Sequence, residues 1–306
     1  MRQHDLGVGR DGDVSERFGE GLDPVGVTGS DREQNLLDGH VRHKSRRALK
    51  YILAGGDPRR MSALDLSGRT ALVTGSAAGV GRGIALSLAE AGAAVAVHYH
   101  SSEAEATATA AEATERGAPE ATTVQADVTD PDDVDAAFDA VEADLGTVDV
   151  LVNNVGDFEP THWAEQSVAD WRRVHETNLV GTMACARRAL SGMRANEWGR
   201  IVNVGYSSSE KGLVAAKNFP YFAAKAGVLM FTRMLAAETQ DDGVTVNAVS
   251  PYVVETSDEF PDDAPRGRWA TVDDLANVVR FFCAEESEYV SGENVEVDGG
   301  WLPEDV

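Results

Sequence analysis

Cysteine is scarce in this chain: Cys185 and Cys283 are the only two in 306 residues. Two thiols cannot build a disulfide framework, so the fold must rest on an apolar core and a reducing compartment is expected. No apolar run approaches the ~20 residues of a membrane-spanning helix, and neither a secretory signal nor an acid-free transit segment can be read near the start. The expectation is a cytoplasmic protein with no membrane partner. Basic charge is also short, with 27 Lys and Arg against 51 Asp and Glu and a formal net charge of −24. That balance repels nucleic acid and anionic lipid alike, leaving a small molecule as the expected ligand. Lysine is nearly missing after Met61, where only Lys211, Lys217 and Lys225 occur. Dense acid with Arg in preference to Lys points to adaptation to high salt, where screening removes self-repulsion. No metal site is expected.

The charge divides the chain in two. Residues 1–60 hold 11 basic and 10 acidic side chains, and residues 61–306 hold 16 against 41. The first stretch is rich in Gly, Asp and Arg with little apolar periodicity, so 1–60 is read as disordered or extraneous. Its basic run from Arg42 to Lys50 is taken as a solvated tail rather than a nucleic-acid arm. In 61–306, strand-like runs at 69–74, 93–98, 121–125, 148–153, 200–204, 244–249 and 294–298 alternate with helical patterns. Those patterns fall near 80–91, 102–116, 131–144, 168–195, 220–239 and 272–285. Continuous apolar strands separated by helices indicate a parallel sheet covered on both faces. The fold class is therefore α/β, a doubly wound, Rossmann-like parallel sheet in a single domain.

The first strand runs into Thr74-Gly75-Ser76-Ala77-Ala78-Gly79-Val80-Gly81 at a helix start. Without Cβ atoms the backbone can turn tightly there and approach a pyrophosphate, whose charge would rest on helix N-terminal amides. About 20 residues on, a carboxylate normally binds the ribose 2′-OH of NAD. No Asp or Glu lies between Ala91 and Ser102, where the second strand ends His98-Tyr99-His100-Ser101-Ser102. His100 and Ser101 are candidate contacts for a 2′-phosphate, so NADP(H) is favoured over NAD(H). A second constellation is Tyr221-Phe222-Ala223-Ala224-Lys225. Four residues apart on a helix, phenol and ammonium share a face, and the cation is expected to pull the phenol pKa down toward the range of proton transfer.

These residues together resemble the short-chain dehydrogenase/reductases, similar to the 3-oxoacyl-carrier-protein reductases, over about 64–302. The resemblance includes Asp127-Val128, Asn153-Asn154-Val155-Gly156, Asn178, Ser250-Pro251 through Thr256, and the closing 292–300 stretch. It implies that Tyr221 exchanges a proton with the substrate oxygen while Lys225 binds the nicotinamide ribose and keeps Tyr221 acidic. Asn178 would hold a water in the proton relay. The cofactor set it implies is Gly75, Ser76, Gly79, Val80, Gly81, Asp127, Val128, Asn153, Gly156 and Thr256. The family's substrate-orienting serine lies thirteen positions before the tyrosine, which points to Ser208, with Ser207 and Ser209 as alternatives; counting forward from the strand instead reaches Tyr206.

Tyr252 stands where the family has glycine and would narrow the site. The acids Asp258, Glu259, Asp262 and Asp263 in a short lid would discourage anionic substrates. The resemblance thus implies hydride exchange between NADP(H) and a small neutral carbonyl or alcohol, in a homo-oligomer, a dimer or tetramer, paired through its long helices. The alternative is a cofactor-binding sensor or scaffold with little catalysis.

Overall fold

The computed structural model describes residues 64–209, 217–257 and 260–301. The 1–60 segment, Lys211, Asp258 and Glu259 lie outside them. Seven strands form one sheet: β1 Thr70–Val73, β2 Ala94–Tyr99, β3 Ala121–Gln125, β4 Val148–Asn153, β5 Gly199–Val204, β6 Val244–Pro251 and β7 Asn294–Val297. Their order is β3-β2-β1-β4-β5-β6-β7, every neighbouring pair parallel. The helices are α1 Gly79–Glu90, α2 Glu103–Arg116, α3 Pro131–Leu145, α4 Val168–His175, α5 Gly181–Ala195, α6 Phe219–Glu238 and α7 Val272–Cys283.

Every residue of β1, β4 and β5 is buried, which is why these strands are largely apolar without the regular alternation of a sheet that has one wet face. One face packs Val73, Val95 and Val152 against α1, α2 and α7; the other packs Leu72, Leu151 and Ile201 against α3, α5 and α6. Cys185 and Cys283 lie in opposite core clusters and are unbridged, and burial pushes each thiol up to about 12.

The helix starts are written locally. Asp130 accepts the Asp132 amide ahead of Pro131, and Ser167 with Asp170, then Thr271 with Asp274, form reciprocal capping boxes. The expected single helix over 168–195 is instead interrupted by a π-turn, Glu176–Val180, between α4 and α5. Apolar periodicity is too coarse to reveal the wider i→i+5 turn.

Chain order reverses where β1 lies between β2 and β4, which opens a crevice at the carboxyl ends of β1 and β4. Both the glycine-rich turn and the Asn154–Gly156 turn leave the sheet there. A capping test of the scaffold is Thr271→Ala, which removes the side chain accepting the Asp274 amide. A loss of about 1 kcal/mol is expected, or about 2–4 °C in Tm by calorimetry.

Candidate active site

The bend after β1 is fastened from two sides. Thr74 Oγ1 accepts the amides of Asn154 at 2.9 Å and Val155 at 3.1 Å, while Asn154 Nδ2 donates to the Thr74 and Gly75 carbonyls at 3.0 and 3.2 Å. From β2, His98 Nδ1 accepts the Gly75 amide at 3.0 Å. Burial lowers the His98 pKa to about 4, so the ring is neutral, and Nε2, 3.2 Å from the Ala126 carbonyl, carries the proton. Gly75 and Gly79 adopt φ of +63° and +57°. At Gly81 a Cβ would stand 2.4 Å from the Gly75 carbonyl oxygen and 2.5 Å from Asn154 Nδ2. The α1 N-cap, Ala78, offers no side-chain cap and the first turn holds no acid, so its leading amides are left for an anion. Val80 is half-buried in that first turn.

Ser76, expected to touch cofactor, is fully buried. Its hydroxyl donates to the Val73 carbonyl at 2.7 Å and accepts the His98 amide at 3.1 Å. It is a fastening of the bend. His100, Ser101 and Ser102 are exposed at the end of β2, and Ser102 leads α2 without a side-chain cap bond. After β3, Asp127 Oδ1 accepts the Thr129 amide and hydroxyl at 2.9 and 2.7 Å, which hold its carboxyl below the usual range. Val128 is buried against Gly181, where a Cβ would come within 2.8 Å of it.

Asn153, expected at the adenosine ribose, turns into the core. Its Nδ2 donates to Asn203 Oδ1 at 2.9 Å, and Asn203 Nδ2 in turn donates to Thr232 Oγ1 at 2.9 Å. Strand alternation explains the correction: Asn154, its neighbour, faces the bend and Asn153 does not.

Gly156 is the point where three elements meet. A Cβ there would stand 2.4 Å from Asn178 Oδ1 and 3.2 Å from Lys225 Nζ. Asn178 sits in the π-turn, buried, with Nδ2 donating to the Asp157 and Val174 carbonyls at 3.0 and 2.9 Å. Its Oδ1 is buried without a hydrogen-bond partner among the described residues. Lys225 Nζ donates to the Val204 carbonyl at 2.8 Å and lies 5.6 Å from the Tyr221 ring centroid. The shared helical face is therefore present.

The expected acidic phenol is not. Burial raises the Tyr221 pKa and lowers that of Lys225 to about 8, because desolvation disfavours both charged forms more than the pair favours them. Tyr221 is walled by Phe158, Tyr206 and Phe222, at ring centroids of 5.3, 5.7 and 5.8 Å.

The serine choice stays open between two of its candidates, because the Ser208 and Ser209 hydroxyls are both buried without a hydrogen-bond partner among the described residues. Ser207 Oγ donates to Asp298 at 2.7 Å, and Ser208, at φ +64°, gives its amide to Glu296 at 2.8 Å. Ser209 gives its amide to the Tyr206 carbonyl at 3.2 Å. From the end of β5, the ring that packs on Tyr221 is that of Tyr206. Tyr252 stacks on Trp301 at 3.8 Å and edges toward Tyr206 at 6.4 Å. Thr256 Oγ1 would lie 4.0 Å from a Cβ at Gly79, which brings it to the mouth of the bend.

Sequence reading missed His98, whose role shows only once β2 is paired with β1, and Phe158 and Trp301, which carry no motif. A separate cavity of about 420 Å³ lies between Tyr252, Arg266, Trp269 and β7 and contains neither Tyr221 nor Lys225. Among the described residues no cluster of His, Cys, Asp and Glu is arranged for a metal ion, and no helix is long and apolar enough to cross a membrane.

The chain is similar to known proteins in sequence and fold. A family model described as enoyl-(acyl carrier protein) reductase matches residues 75–302. The 3-oxoacyl-[acyl-carrier-protein] reductase FabG of Aquifex aeolicus is 34% identical over 247 residues, covering 78% of this chain and 98% of that protein. The Vibrio cholerae FabG is 35% identical over 255 residues with the same coverage. A solved structure from Agrobacterium tumefaciens, described as a candidate gluconate dehydrogenase, superposes with a TM-score of 0.72 at 36% identity, covering 78% of this chain and 97% of that one.

Two outcomes test the geometry. Gly81→Ala must push the bend open, and titration of NADPH by fluorescence should show affinity weakened about tenfold or more with an unchanged far-UV spectrum. Lys225 is 3% exposed, and its pKa falls from 10.5 to about 8 on folding. The unfolded chain therefore binds more protons between those values, and the strain of burying the ammonium is fully present below about 8 and fades as pH rises toward 10.5. Lys225→Met should unfold at higher temperature than wild type at pH 7, by up to about 3 kcal/mol of stability, and that advantage should shrink by pH 10 in thermal melts.

Proposed function

The chain belongs to the short-chain dehydrogenase/reductase family, an oxidoreductase of C=O and CH–OH groups, and we propose that it transfers hydride between NADP(H) and a small neutral carbonyl or alcohol, with Tyr221 as general acid/base. The observation that carries this reading is the convergence of Tyr221, Lys225, Gly156 and the unpartnered Asn178 Oδ1 beside the glycine bend.

The residues present fit a dinucleotide. Gly75, Gly79 and Gly81 leave a concave bend that side chains would fill, and the uncapped start of α1 accepts a diphosphate. The proposed contacts continue through Val80, Asp127, Val128, Gly156 and Thr256, with His100 and Ser101 at the adenosine end. The missing carboxylate over 91–102 favours a 2′-phosphate. When bound, the nicotinamide supplies or accepts the hydride.

This chain's part is acid–base and positional. The phenol of Tyr221 gives its proton to the substrate oxygen in reduction and takes it back in oxidation. An ammonium at Lys225, fixed by the Val204 carbonyl, stabilises the phenolate left behind. The phenolate regains its proton from Lys225, and a water held by Asn178 Oδ1 relays a solvent proton that restores the ammonium. Asp262 and Asp263, both exposed in the lid, disfavour an anionic substrate.

Three further features belong to the same proposal. The enzyme domain is 61–306, with 1–60 outside it. Exposed Val180, Met183, Met230 and Met234 on the π-turn, α5 and α6 supply an apolar face for pairing copies of the chain. The protein works in cytoplasm at high salt, consistent with 41 acids against 16 bases beyond residue 60.

Purified full-length protein in molar salt should oxidise NADPH with a panel of small neutral ketones. Tyr221→Phe should reduce turnover by about 10²-fold or more while leaving NADPH affinity unchanged. Tight NADPH binding with no turnover by wild type on any carbonyl or alcohol would instead establish the sensor alternative.

A further inference from the structure

Two phenols, not one, pack together at the start of α6. Strand β5 leaves the sheet through Gly205, where a Cβ would stand 2.3 Å from Ser250 Oγ, so the backbone runs hard against β6 and the next side chain is delivered to the start of α6. That side chain is Tyr206. Its ring meets Tyr221 edge-to-face at 5.7 Å and 76°, lies 5.2 Å from Phe222, and turns its other side to Tyr252 at 6.4 Å. No described residue hydrogen-bonds either phenol hydroxyl. Of the three serines that follow, Ser207 gives its hydroxyl to Asp298, the hydroxyls of Ser208 and Ser209 are buried without a hydrogen-bond partner among the described residues, and the ring contact with Tyr221 is made by Tyr206.

We propose that Tyr206 is a second catalytic residue, donating a hydrogen bond to the substrate oxygen beside Tyr221, and that its ring selects carbonyl compounds with a flat aryl face. The proposal rests on the oxidoreductase reading above. A carbonyl oxygen has two lone pairs and accepts from two donors at once. One donor, Tyr221, gives up its proton as the C–H bond forms. The other, Tyr206, keeps its proton throughout, since burial raises its pKa well beyond neutrality, and it holds the developing alkoxide in line. Around that oxygen the wall is aromatic: Phe158 on Tyr221 at 5.3 Å, Tyr206 between, and the Tyr252–Trp301 stack beyond. Edge-to-face and offset packing at 4.5–7 Å rewards a planar ring over a flexible alkyl chain of equal volume.

The test uses full-length protein with NADPH, acetophenone and 2-butanone as probes, and NADPH fluorescence as the folding control. Wild type should show a higher kcat/KM for acetophenone. Tyr206→Phe should lower kcat for both ketones by about 10²-fold, retain the aryl preference and bind NADPH as wild type does. Tyr206→Ser should regain part of kcat through its hydroxyl and lose the preference. If Tyr206→Phe stays within about twofold of wild type while Tyr221→Phe is inactive, Tyr206 is only a wall and the proposal falls alone. If wild type turns over other neutral ketones but does not prefer acetophenone, the aryl selection falls; if Tyr221→Phe remains active, or wild type binds NADPH but turns over no carbonyl or alcohol of a panel, the reading of Tyr221 as general acid/base fails and takes this proposal with it.

Discussion

An ammonium group shut away from water is expensive to keep, and Lys225 is the place where this fold keeps one. It is 3% exposed, holds a single carbonyl, Val204 O, at 2.8 Å, and has no carboxylate among its bonded partners. A stability-driven design would put Met or Leu there. The architecture instead spends three elements on it. Strand β5 supplies the carbonyl, the turn after β4 supplies Gly156 so that nothing stands between Nζ and Asn178, and the π-turn carries Asn178 into place with its Oδ1 unmatched. Two unmet polar demands side by side, a cation wanting acceptors and an amide oxygen wanting a donor, describe a site completed by ligands rather than by protein.

The sheet then explains why the site lies where it does. With β1 and β4 adjacent and their connections leaving in opposite directions, the two turns that follow them face each other across the crevice. Thr74 and Asn154 sew those turns together, and neutral His98 adds the third thread from β2. The bend is thus held by neighbours on both sides and not by its glycines, whose part is to stay out of the way. The proposed dinucleotide cradle thus lies in the first half of the chain, and the proposed proton donor and the aromatic walls lie mostly in the second. Substrate choice can therefore change with the loops after β5 and β6 while the cradle stays as it is.

Much of this was legible in the sequence, and the parts that were not share a cause. Strand and helix spans followed from apolar runs, a signal that acts within a few residues. The glycine bend and the Tyr221/Lys225 pair were visible because each is a local pattern. What stayed hidden depended on pairing: Asn153 is turned inward by strand alternation against Asn203, Ser76 is consumed by β2, and His98 looks like any strand residue until Gly75 is laid beside it. Ser208 and Tyr206 could not be separated by counting, which cannot say on which side of Tyr206 an insertion falls. The phenol's acidity failed for a different reason, since charge proximity is readable from spacing and desolvation is not.

The aromatic wall and the acid-rich surface bear on one another. A protein carrying 51 acids presents negative potential to every approaching solute, and Asp262 and Asp263 concentrate it at the lid. Anionic acyl carriers and sugar phosphates are disfavoured before they reach the crevice. An uncharged planar molecule meets no such barrier, and high salt drives it from water onto apolar surface more strongly. Phe158, Tyr206, Tyr221 and the Tyr252–Trp301 stack are the surface that would receive it. On the proposed reading, salt that screens so acidic a surface would also strengthen the apolar contacts those walls offer.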